Sequence, residues 1–137
     1  ARVIRQVRPD LVLTANFEVE AYGGLNQADH RVAGLAAVDA CRDAANPWVF
    51  PELAEQEHLA PWSTRTLAVA GHPAPTHAKS VGQREVDAAV ASLRAHEAYL
   101  AHVTDHPIPE EFIPEILRQG GAAAGTEHAV VLRVHEL

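Results

Sequence analysis

Arg8-Pro9-Asp10-Leu11-Val12-Leu13-Thr14 is the stretch on which the fold turns. Pro9 disfavours helix at Arg8, so the helical spacing of Val3, Ile4 and Val7 stops there. Leu11 to Thr14 form a short, mainly apolar run, the pattern of a strand buried on both faces in a parallel sheet. Residues 16–27 are polar and aromatic and contain Gly23-Gly24, which predicts a loop at the carboxyl end of that strand.

Outward from this point, helical and strand patterns alternate. Val32, Leu35, Ala36 and Ala40 predict a helix from about Asp29 to Ala44, capped by Asn26 or Asp29 and ended by Asn46-Pro47. Residues 47–62, with Pro47, Pro51, Pro61 and Trp48, Phe50, Trp62, read as an ordered loop with short helical turns. Thr66–Ala70 is a second strand, stopped by Gly71, and residues 71–82 are a second loop at a strand's carboxyl end. A helix follows from about Gln83 to His102, a shorter one spans 109–119 with Gly120-Gly121 at its C-terminal cap, and 129–134 is the last strand. The order is α/β. In such sheets ligands bind outside the carboxyl ends of the strands, so loops 15–30 and 71–82 are where a site is expected.

At 137 residues, the chain is long enough to bury a core without a disulfide or metal. Its net charge of −7 argues against nucleic acid as a partner and against a polybasic membrane contact. Protonating all nine histidines would carry −7 to +2, so their placement matters. The single cysteine, Cys41, excludes an internal disulfide and a cysteine-rich zinc module and fits a cytoplasmic location. There is no apolar run of the roughly 20 residues needed to span a membrane, and residues 1–7 lack a signal-peptide hydrophobic region.

Asn26-Gln27-Ala28-Asp29-His30-Arg31 is the densest polar cluster, at the junction of the first loop and the following helix. A histidine in the first helical turn offers a ring nitrogen to a metal, and a neighbouring aspartate can orient it. The same pair also serves as a cap beside a surface histidine. Elsewhere, His102 and His106 at i, i+4 read as a solvated helix end, and His96 shares a face with Leu93 and Leu100 as a core or half-buried histidine. His72 and His77 flank two prolines in the second strand-end loop, with no pairing that defines a role. Cys41 lies mid-helix and is expected to be inert, and no Gly-rich phosphate loop occurs.

Several of these stretches together resemble one family. Residues 8–14, Gly24-Leu25-Asn26-Gln27-Ala28-Asp29-His30-Arg31-Val32-Ala33-Gly34, Asn46-Pro47-Trp48-Val49-Phe50-Pro51-Glu52-Leu53 and Leu93-Arg94-Ala95-His96 follow, in order and spacing, the RPD-strand, NHPDHR, NPxxFPEL and LxAH pieces of the PIG-L (LmbE-like) zinc-dependent N-deacetylases. The resemblance covers most of residues 5–103. It implies a Rossmann-like, mostly parallel sheet flanked by helices. The implied activity is removal of an acetyl group from an N-acetylglucosamine-type sugar or conjugate, with zinc as cofactor.

In that pattern His30 matches the final, metal-binding His of HPDH. Asp29 is implied to orient the site and share proton handling, while Asn26 and Tyr22 are implied substrate contacts. Gln27 stands where the family has its oxyanion-stabilising His, and Ala28 where Pro is common. Glutamine still donates a hydrogen bond but cannot act as imidazolium. Loss of an oxyanion donor costs roughly 10²–10³ in rate.

No HPDDE-like motif, the family's source of two further metal ligands and the general base, occurs in the 137 residues. The expectation is therefore that residues 1–137 are the C-terminal part of a single deacetylase-like domain, incomplete at its N-terminus and inactive alone. Completion would come from an N-terminal fragment of the same protein, or the exposed sheet edge would be covered in a homo-oligomer. The alternative is a non-catalytic deacetylase-like binding or structural module.

Overall fold

A computed structural model describes residues 1–21 and 23–137. Its elements are α1 (Arg2–Val7), β1 (Leu11–Ala15), β2 (Glu20–Ala21), β3 (Gly24–Leu25), α2 (Ala28–Ala45), α3 (Pro51–Glu55), β4 (Thr66–Ala70), β5 (His77–Ser80), α4 (Gln83–Arg94), α5 (Glu97–His102), α6 (Pro109–Ala124) and β6 (Ala129–Glu136). The fold is α/β, with a mixed four-stranded sheet in the order β1-β4-β6-β5. β1 and β4 pair in parallel, Leu11 opposite Thr66, and β4 and β6 antiparallel, Thr66 opposite Glu136. A small antiparallel ladder, β2–β3, occupies part of the stretch expected to be loop. The chain divides into two compact units, Ala1–His77 with Leu132–Leu137, and Ala78–Val131.

In the first unit, Ile4, Cys41, Ala44, Leu67 and Val69 form the core, with Val12, Phe17, Val38 and Trp62 packed against it. β1 departs from the expectation of burial on both faces. Its residues alternate in exposure, with Leu11 54% and Leu13 62% exposed. The strand lies at an edge of the sheet, and only the face carrying Val12 is packed into the core. α1 also turns differently from its apolar spacing. Val3 and Val7 are exposed, whereas Ile4 and Arg5 are buried.

Arg5, 1% exposed, donates to the carbonyls of Asp43, Ala44, Asn46, Val49 and Phe50. A helix leaves its last carbonyls unpaired at the negative end of its dipole, so the guanidinium closes the α2 C-terminus and pins the loop after it. α2 begins one residue earlier than expected, at Ala28 after an extended Gln27. No side chain caps it, so neither Asn26 nor Asp29 has the capping role predicted for it. Gly34 lets α2 press onto the end of β1: a Cβ there would sit 2.6 Å from Phe17 Cβ and 3.0 Å from the Ala15 carbonyl oxygen.

In the second unit, the expected helix 83–102 breaks at Ala95-His96, giving α4 and α5, and His96 is exposed rather than half-buried. Arg94 on α4 pairs with Glu110 on α6 at 3.0 Å. α6 runs past Gly120-Gly121 and ends at the left-handed Gly125, φ 70°. The two glycines are not the cap; they are buried where side chains would strike the Ala129 and Glu127 carbonyls.

Candidate functional site

β1 and β4, parallel neighbours, end at Ala15 and Ala70. The loops leaving them hold the polar residues of interest. Asn16, fully buried, follows β1 directly, and its Oδ1 accepts the Glu18 N–H at 3.0 Å. Its Nδ2 is buried without a partner among the described residues.

Asn26, 4% exposed, is the hub of the cluster. Its Nδ2 donates to the carbonyls of Asn16 (2.9 Å) and Glu18 (3.0 Å), and its backbone N–H to Val19 (2.8 Å). With both amide protons committed, Oδ1 is the atom that faces His30 Nδ1, 3.2 Å away. An amide oxygen can only accept, so Nδ1 carries a proton, and in the neutral ring Nε2 is then the nitrogen with the lone pair. Arg31 donates to the Asn26 carbonyl and closes the same turn. The tight loop thus fixes one histidine tautomer, the one that presents Nε2 as a ligand.

Gln27 and Asp29 flank the hub with exposed side chains, Gln27 before α2 and Asp29 in its first turn. Tyr22 lies outside the described residues. Among the described residues no group of three His, Cys, Asp or Glu is placed to hold a metal ion. His30 supplies one nitrogen, while a catalytic zinc takes three protein ligands and water. Zinc therefore does not fit the residues of this chain alone.

Two clefts open beside this loop. One, of about 500 Å³, is lined by Glu20, Ala21, Gly23, Gly24, Leu25 and Pro73. The other, of about 350 Å³, is lined by Glu18, Val19, Glu20, His72 and Pro73. His72, in the loop after β4, accepts the Ala74 N–H at Nδ1 (2.9 Å), so its Nε2 bears the proton; Nε2 lies 3.8 Å from Glu18 Oε1. In the sequence reading His72 lies in a strand-end loop without a role, Glu18 has none, and Asn16 enters only with Phe17, where the resembled family often has Asp-Pro. Their signal was position alone, directly after a strand.

The other groups singled out in the sequence have contacts of their own. The Nδ1 atoms of His102 and His106 each meet a neighbouring carbonyl, that of Ala98 and that of Pro107. Cys41 is 2% exposed, and burial pushes its thiol pKa up. That keeps it protonated and unreactive.

No protein-family model and no curated protein matches the sequence. Solved structures do match. The chain superposes on N,N'-diacetylchitobiose deacetylase from Pyrococcus horikoshii with TM-score 0.78 and 18% identity, over 98% of this chain and 49% of that one. It shares its fold with a chitobiose deacetylase. A conserved protein from Thermus thermophilus gives TM-score 0.70 and 19% identity, over 96% of this chain and 54% of the other. The chain spans about half the length of either structure. Among the described residues, no helix is long and apolar enough to cross a membrane.

Proposed function

We propose that this chain forms part of a zinc-dependent amide hydrolase that removes the acetyl group from an N-acetylglucosamine-type substrate. The observation that carries the reading is His30, held by Asn26 through Nδ1 near the carboxyl end of β1, its Nε2 without a partner among the described residues, in a fold shared with a chitobiose deacetylase. In this reading His30 is one zinc ligand and the others come from a segment outside this chain. Gln27 donates a hydrogen bond to the acetyl carbonyl, Asp29 shares in proton handling, and Asn26 holds both the loop and the histidine. Tyr22 belongs to the substrate contacts.

In this reading the segment that completes the site docks beside β1. β1 is an edge strand, and beside its exposed Leu11 and Leu13 the chain also exposes Val3 and Val7 on α1. Open edges of this kind invite pairing, so an N-terminal fragment of the same protein, or a second copy, covers this surface. Size-exclusion with light scattering tests this: a stable, lone monomer of the functional protein contradicts it.

The second reading is a deacetylase-like module without chemistry. It is favoured by the lack of a three-ligand group among the described residues. Elemental analysis separates the two. The enzyme reading expects one zinc per chain in the assembled protein, lost in His30→Ala; zinc absent from the assembled protein supports the module.

A further inference from the structure

The two clefts share Glu20 and Pro73 and so form one continuous surface. We propose that this surface is a sugar-ring subsite in which His72 and Glu18 grip one ring hydroxyl between them. The ligand class rests on the amino-sugar reading above; the residues and the grip do not. A hydroxyl is at once donor and acceptor. His72 Nε2–H is a donor and Glu18 Oε1 an acceptor, 3.8 Å apart. That gap is too long for a direct hydrogen bond, but one oxygen bonded to both at about 2.8 Å spans it.

The orientation is built in, because the Ala74 N–H occupies Nδ1 and leaves Nε2 as the neutral ring's only donor. Glu20 supplies a second carboxylate for an adjacent hydroxyl. Pro73 and the 78% exposed Leu25 give an apolar surface for the C–H face of a ring. At Gly24 a Cβ would meet no described residue within 4 Å. The combined space falls within the roughly 300–1,000 Å³ typical of small-molecule sites. Glu18 also ties the subsite to His30, since its carbonyl accepts Asn26 Nδ2 and Asn26 Oδ1 faces His30.

The test is a titration of the 137-residue chain with N-acetylglucosamine, followed by backbone amide shifts. Acetamide, which has the amide but no ring, is the control. Saturable shifts confined to residues 18–25 and 72–74 are expected. Glu18→Gln and His72→Ala should each weaken binding by roughly tenfold, the loss of one charged or well-placed hydrogen bond. His72→Gln, which keeps an N–H donor, should recover part of the loss, and a dispersed amide spectrum shows that each variant folds.

No saturable sugar binding, shifts elsewhere, or wild-type affinity in the Glu18 and His72 variants overturns the proposal. Sugar binding in this cleft by a protein that never takes zinc or releases acetate would retain the subsite and reject the deacetylase reading. Zinc-dependent acetate release with affinity unchanged in these variants would do the reverse.

Discussion

The two faces of β1 have opposite fates. On one, Val12 lies against the core of Ile4, Cys41, Ala44, Leu67 and Val69. On the other, Leu11 and Leu13 remain more than half exposed, on a strand at the sheet's edge. Side chains alternate along a strand, so an apolar run suits a strand covered on both sides. This chain covers one side. One face joins the core of the first unit, and the other leaves Leu11 and Leu13 exposed.

The largest test of that contrast lies on the packed side. Arg5→Ala removes the cation that five carbonyls share and should cost about 3–5 kcal/mol in urea unfolding. Leu67→Ala, a buried truncation, should cost about 3 kcal/mol, whereas Leu13→Ala should stay within about 0.5 kcal/mol in the isolated chain. Equal costs at Leu67 and Leu13 would erase the distinction between the faces. Gly34→Ala should cost about 1–3 kcal/mol, because its new methyl meets Phe17 where α2 crosses the end of β1.

The smallest effect is at Cys41. Its folded pKa is raised by burial, so the folded state holds the thiol proton more tightly than the unfolded one. The corresponding stability is complete below the unfolded thiol's ordinary range and is lost as pH rises through the folded pKa. Cys41→Ala should flatten the alkaline limb of a stability–pH curve; an unchanged limb would place the dependence elsewhere.

The alternation of elements was legible because β1, α2, β4 and β6 carry their patterns in unbroken apolar spacing. The same spacing marked α1 as a helix but left its inward side open: Val3 and Val7 face outward, and Arg5 takes the inward place to reach the α2 carbonyls. A buried arginine is visible only once its acceptors, some forty residues on, are in position. Gly120-Gly121 resembled a cap because glycine's two uses, left-handed turn and close packing, look alike in one dimension. At the site, His30 stood out through its neighbours in sequence. The Glu18–His72 arrangement joins two loops, and its geometry exists only after β1 and β4 align in parallel.

The central claim is tested most directly by acetate release from N,N'-diacetylchitobiose, using the protein isolated in its native assembly and its His30→Ala variant. The account predicts release by the first and a drop of more than about 100-fold in the second, with zinc lost in parallel. Equal rates in the two proteins, or no release by a zinc-loaded assembly, would contradict it.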